Sequence, residues 1–175
     1  MTIKTIFLDR DGVINKEVEY LFRIADFKFN EGVFDACLYF QNLDYKIIII
    51  SNQSGISRGY YSENDYLKLT EWMLGQFNNN GIKILDSFYC PHSPKSHCEC
   101  RKPKPGMFLE AKKKYNIDMK NSWMIGDSES DIKSANAAGI INTILVRSGH
   151  LIDESNSNSK FTIDSIKQSI EVIKT

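Results

Sequence analysis

The segment Lys46-Ile47-Ile48-Ile49-Ile50-Ser51 carries four consecutive isoleucines. Successive residues of a strand point to opposite faces, and β-branched side chains favour extended backbone. A strand apolar at every position needs cover on both faces. That is the situation of a parallel sheet between two helical layers. The rest of the chain supplies matching pieces. Ile3 to Leu8, Ile84 to Tyr89, Ser122 to Ile125 and Thr143 to Val146 read as further strands. Between them, Val33 to Leu43, a long helix after Ser62, Met107 to Tyr115 and Asp131 to Ala138 have helical spacing. Ser62 with Asp65 three residues on reads as a near capping box, and Asn78 to Gly81 ends that helix. Ser155 to Ser159 reads as a polar loop, and Ile163 to Ile173 as a terminal helix. Alternating strands and helices predict a doubly wound α/β fold with a mostly parallel sheet. The 175 residues suit a single domain over 1–175, with no internal repeat and no long linker.

Ligands of such folds bind outside the carboxyl ends of the strands. Asp9, Ser51, Cys90 and Asp127 each follow a predicted strand. Asp9-Arg10-Asp11-Gly12 places two carboxylates two residues apart beside a glycine. One carboxylate can attack phosphorus, and the other can protonate the leaving oxygen and then activate water. Two carboxylates and a phosphate repel one another, which a magnesium ion held by oxygen ligands relieves. Asp127 completes such an oxygen set, and Asp131, one helical turn on, orients it. Ser51-Asn52-Gln53-Ser54-Gly55 offers hydroxyl, amide and backbone donors to phosphate oxygens, and Lys102 adds a positive charge. Each motif alone is a common turn, cap or surface feature. Their convergence on one rim points to phosphoryl transfer.

Cys90-Pro91-His92 and Cys98-Glu99-Cys100 gather three thiols and an imidazole within eleven residues. Structural zinc takes four such ligands, and the set Cys90, His92, Cys98 and Cys100 leaves no open position. His97 is a rival donor but adjoins Cys98. The loop at 90–100 has few apolar residues of its own, so a metal would fold it. Cys37 lies in an apolar stretch and reads as a core residue.

Twenty-two Lys and Arg balance twenty-two Asp and Glu, so no global basic field marks a nucleic-acid binder. The longest apolar run is far short of a membrane span, and the N-terminal segment lacks a signal-peptide layout. The expectation is a cytoplasmic protein with no membrane or nucleic-acid partner, compatible with a monomer.

The order of Asp9/Asp11, Ser51, Lys102 and Asp127 resembles the four motifs of the haloacid dehalogenase (HAD) superfamily, a Rossmann-like fold. The resemblance implies Asp9 as nucleophile and Asp11 as general acid/base. It also implies magnesium on the side chains of Asp9 and Asp127 and the carbonyl of Asp11. Phe7 to Asn15, Ser51 to Ile56, Cys90 to His92 and Cys98 to Pro103 look very like the D-glycero-D-manno-heptose 1,7-bisphosphate 7-phosphatase family, over nearly the whole chain. Members of that family lack a large cap domain, and little room exists for one here. Their product feeds nucleotide-activated heptose for bacterial surface polysaccharide, including lipopolysaccharide. The resemblance implies a phosphorylated-sugar pocket lined by Glu17, Glu19, Tyr20, Ser51, Asn52, Gln53, Ser54, Arg101 and Lys102. Asn52 and Lys102 would hold the reacting phosphate, and Arg101 the distal one. The family often has a basic residue after the fourth-motif aspartate, where this chain has Ser128. The rivals are a histidinol-phosphate phosphatase, which shares the zinc loop, and a zinc-stabilised binding module without catalysis.

Overall fold

A computed structural model describes residues 1–174. Six strands form one parallel sheet: β1 (Thr5–Leu8), β2 (Lys46–Asn52), β3 (Ile84–Cys90), β4 (Trp123–Gly126), β5 (Asn142–Val146) and β6 (Phe161–Ile163). Their spatial order is β3-β2-β1-β4-β5-β6. Six α-helices accompany them: α1 (Val33–Asn42), α2 (Ser54–Ser57), α3 (Glu63–Asn79), α4 (Gly106–Tyr115), α5 (Glu129–Ala137) and α6 (Ser169–Val172).

Strand periodicity divides the core. Ile6 and Leu8 of β1, with Ile47 and Ile49 of β2, pack into the cluster holding α1, α3 and Ile166 and Ile173. Phe7, Ile48 and Ile50 point the other way, onto Met107, Phe108 and Ala111 of α4 and Ala135 of α5. The four isoleucines are each almost wholly buried, as a two-sided strand requires. Burying side chains of this size contributes on the order of 2 kcal/mol each.

Strand order reverses between β1 and β4. The chain winds outward from β1 through β2 to β3, then returns to the far side of β1. The crevice at that reversal is where an open α/β sheet binds ligands. Asp9 follows β1 and Asp127 follows β4, so the two carboxylates flank it.

Ser62 caps α3 as its sequence predicts. Its hydroxyl accepts from the Asp65 backbone N–H at 3.1 Å, and its own N–H donates to Asp65 Oδ2 at 2.9 Å. Ser62 is exposed, so Ser62→Ala should cost about 1 kcal/mol through the cap alone. Urea unfolding measures this, and an unshifted midpoint would show that the cap contributes nothing.

The expected helix from Ile163 to Ile173 is corrected. Phe161–Ile163 is an edge strand paired with Ile144 to Val146 of β5. Only a 3₁₀ turn at Ile166–Gln168 and the short α6 are helical. Ile163, Ile166, Ile170 and Ile173 do have helical spacing. The open backbone edge of β5 nevertheless draws Thr162 and Ile163 into the sheet, where β-branched residues are favoured. A further 3₁₀ turn, Glu154–Asn156, overlaps the start of the expected polar loop. Helix α2 was not foreseen.

Candidate active site

A cavity of about 360 Å³ opens at the carboxyl edge of the sheet. It is lined by Asp9, Asp11, Glu17, Glu19, Tyr20, Asn52, Gln53, Ser54, Arg101, Lys102 and Asp127, which are all the expected catalytic and substrate residues except Ser51. Ser51 is fully buried and accepts a hydrogen bond from Gln53 Nε2 at 2.6 Å.

Lys102 is 4% exposed. Its ammonium donates to Asp9 Oδ1 at 2.9 Å and to the Ile50 carbonyl at 3.0 Å, and lies 2.6 Å from Asp131 Oδ1. Burial opposes its charge, but Asp131 and Asp9 outweigh burial and hold Lys102 protonated, above its ordinary pKa. Burial lifts Asp9 well above the usual carboxylate range; Asp131 adds to that, Lys102 opposes it, and Asp127 adds again. Three carboxylates thus face one ammonium in a water-poor crevice.

That imbalance tests whether the site fits a divalent cation. Oxygens of Asp9, Asp127 and Asp131 lie within 4.8 Å of one another. Asp127 is 1% exposed, and its Oδ1 is buried without a hydrogen-bond partner. An orphaned anionic oxygen in a set of hard oxygen donors fits magnesium. Asp127 Oδ2, by contrast, accepts from the His150 backbone N–H at 2.9 Å and from His150 Nδ1 at 2.6 Å.

Asp11 is held from three sides. The buried guanidinium of Arg10 donates to it through Nε and Nη2, at 3.0 to 3.2 Å. Asn15 Nδ2 donates at 3.0 Å and Gln53 Nε2 at 3.1 Å. Gln53 is itself oriented by Tyr61, whose hydroxyl donates to Gln53 Oε1 at 2.6 Å. Gly12 turns the chain with φ +82°, and a Cβ there would collide with Asp127. Asn52 pairs both ways with the Lys102 backbone, accepting from its N–H and donating to its carbonyl, each at 3.1 Å. Its amide therefore sets where Lys102 stands. Burial pushes the half-buried Glu17 up to about 7, with Asp11 adding to the effect.

The cysteine loop closes as its spacing predicts. Sγ of Cys90, Cys98 and Cys100 and Nδ1 of His92 all lie within 4.8 Å of one another. Cys90 Sγ lies 3.0 Å from Cys100 Sγ and 3.8 Å from Cys98 Sγ, and all four cysteines of the chain are free thiols. Zinc–sulfur bonds of about 2.3 Å in a tetrahedron place sulfurs about 3.8 Å apart. Burial and the Cys100 thiol push Cys90 up to about 12, a cost of crowding thiolates that a cation would remove. His97 is exposed and outside the group. Arg101 Nη1 donates to the His92 carbonyl at 3.2 Å, so the loop steadies the residue beside Lys102.

Sequence reasoning missed His150 and the roles of Arg10 and Tyr61. His150 follows β5 by a few residues, and extending the strand-end rule to that strand would have found it. It also did not foresee what Ser128 does: its N–H and hydroxyl both donate to Asp131 Oδ2, at 3.1 and 2.8 Å, capping α5.

A parallel sheet with an aspartate at its reversal point, a buried lysine against that aspartate and a carboxylate cluster opposite define a metal-dependent phosphoryl-transfer hydrolase. Residues 99–171 match the HAD-hydrolase-like family model, whose phosphatases use Mg²⁺. The D-glycero-alpha-D-manno-heptose-1,7-bisphosphate 7-phosphatase of Photorhabdus laumondii is 47% identical, over 94% of this chain and 96% of its own length. The D-glycero-beta-D-manno-heptose-1,7-bisphosphate 7-phosphatase of Vibrio cholerae is 45% identical, over 95% of this chain and 94% of its own. The crystal structure of D,D-heptose 1.7-bisphosphate phosphatase from B. bronchiseptica, complexed with magnesium and phosphate, superposes with a TM-score of 0.84 at 27% identity, over 97% of each chain. The chain belongs to the D-glycero-D-manno-heptose-1,7-bisphosphate 7-phosphatase family and is a phosphoric monoester hydrolase.

Proposed function

We propose that this chain removes the 7-phosphate of D-glycero-D-manno-heptose 1,7-bisphosphate through an aspartyl-phosphate on Asp9. The observation that carries the reading is Asp9 itself, buried at the reversal of strand order and bonded to Lys102 Nζ at 2.9 Å. An Asp9 oxygen attacks phosphorus and the bond to the sugar oxygen breaks. Asp11 gives its proton to that oxygen, then takes one from the water that cleaves the acyl phosphate. Lys102 holds positive charge against the transferring group. Asp9, Asp127 and the Asp11 carbonyl hold magnesium, which when bound offsets the charge of phosphate and carboxylates. Glu17, Glu19, Tyr20, Gln53, Ser54 and Arg101, which line the cavity, receive the sugar and its second phosphate, while buried Ser51 supports Gln53 and Asn52 fixes the Lys102 backbone.

The whole chain acts as one phosphatase domain, and Cys90, His92, Cys98 and Cys100 bind a structural zinc. Its product feeds nucleotide-activated heptose for surface polysaccharide. We place the protein in the cytoplasm, as a monomer. Among the described residues no helix is long and apolar enough to cross a membrane.

Phosphate release from the purified enzyme tests the substrate. With magnesium, kcat/KM for the heptose bisphosphate should exceed that for histidinol phosphate at least about a hundredfold, a margin of about 2.7 kcal/mol. Preferential hydrolysis of histidinol phosphate would overturn the choice of substrate while leaving the chemistry intact.

A further inference from the structure

Residues 147–150 pass directly over Asp127. Three contacts fasten this segment. Ser148 Oγ donates to the Gly12 carbonyl at 2.6 Å, tying it to the turn that carries Asp9 and Asp11. Gly149 lies so close to Asp127 Oδ2 that a Cβ there would collide with it. The His150 backbone N–H and Nδ1 then both reach that same oxygen, at 2.9 and 2.6 Å. On the outer side, Arg147 bonds to Glu154 and Asp164, at 2.6 to 2.8 Å, anchoring the segment to the elements that follow.

The buried Asp127 carboxylate can only accept, so the proton of this bond sits on His150 Nδ1. Oδ2 therefore has two donors, and Oδ1 has none. Asp131 shows a similar split, with both Ser128 donors on Oδ2, but its Oδ1 lies 2.6 Å from the Lys102 ammonium, as Asp9 Oδ1 does at 2.9 Å; Asp127 Oδ1 has no such partner. A free carboxylate rotates about its terminal torsion with little preference. Here the two oxygens have been made inequivalent by a residue from a different strand end.

We infer that His150 is a positioning residue for the metal: its Nδ1–H and backbone N–H hold Asp127 Oδ2 and so present Oδ1 to magnesium. The inference rests on the reading of Asp127 as a magnesium ligand. Two effects of His150 oppose each other. The hydrogen bond fixes the ligand's orientation, which tightens binding, and any positive charge on the ring repels the cation. Partners that orient a ligand are typically worth 10–100-fold in metal affinity. The charge effect is reduced because the His150 side chain is 58% exposed to water. Orientation should dominate.

The test is a metal titration independent of catalysis. Free Mn²⁺ is counted by its paramagnetic resonance signal, with Mg²⁺ as competitor, on wild type, His150→Ala, His150→Asn and Asp127→Asn. An asparagine amide can donate from nearly the position of Nδ1 without the charge. His150→Ala, which keeps the backbone N–H, should weaken both ions about tenfold. His150→Asn should recover most of that affinity. In phosphate-release assays the magnesium concentration for half-maximal rate should rise with the dissociation constant, while KM for the sugar phosphate at saturating magnesium moves less than about twofold. Wild-type affinity in His150→Ala overturns the inference. So does an Asn variant as weak as Ala, or a raised KM with metal affinity unchanged, which would make His150 a substrate contact. If Asp127→Asn itself binds the ions like wild type, the underlying ligand assignment fails instead. Circular dichroism melts confirm that each variant is folded before titration.

Discussion

Asp9→Asn should lower phosphate release by at least about a thousandfold while the protein stays folded. An amide of the same shape cannot attack phosphorus, so the covalent route closes. What remains is whatever water achieves in a site that still binds phosphate. The fold should tolerate the change for an electrostatic reason. Burial raises the Asp9 pKa, with Asp131 adding to the effect. An acid whose folded pKa is raised loses stability as pH climbs past its unfolded value. Without metal, ionising this group in the fold therefore costs stability, and a neutral amide removes that penalty. Lys102 keeps Asp131 as its counter-ion at 2.6 Å. The melting temperature, followed by circular dichroism without metal, should stay level or rise. Turnover above about a tenth of wild type would sink the covalent mechanism.

The second large effect concerns stability. Metal analysis of the purified protein should find about one zinc per chain, and Cys98→Ser should lose it. The four ligand atoms converge from a loop whose tip, Ser93 to His97, is mostly exposed and contributes no core residue. Without the cation, crowded thiols replace the bonds that close the loop. Loss of a structural metal belongs among the largest single-site effects, so unfolding in urea should show a deficit on the order of 3–5 kcal/mol. The damage should reach catalysis, because Arg101 is tied to the His92 carbonyl and Lys102 is next in the chain. A full zinc complement in Cys98→Ser would refute the ligand set.

Much of the site was legible because its parts are local. Asp9 and Asp127 stand at strand ends that periodicity alone locates. The Cys–His set lies within eleven residues, so spacing suffices to group it. What stayed hidden involves residues brought together across the sheet. Asn52 offers an amide to phosphate on paper, yet in the fold that amide is engaged by a backbone fifty residues away. Ser128 reads as a missing cation, yet in place it caps α5 and steadies Asp131. Residues 163–173 misled through an accidental helical spacing of isoleucines, overruled at residue 163 by the open edge of β5.

The sequence by itself determined a parallel sheet covered on both faces, because four consecutive isoleucines leave a strand no solvent side. It also determined the chemistry at each strand end, and the ligands available to a metal in the cysteine loop. Only the tertiary structure decided which strand ends meet. β1 lies between β2 and β4, so Asp9 faces Lys102, 93 residues on, and Asp127 turns one oxygen to His150 and leaves the other free. The physical reason is range. Side-chain periodicity is written into neighbouring residues, but strand order is set by how distant segments bury one another, and that order positions every charge in the crevice.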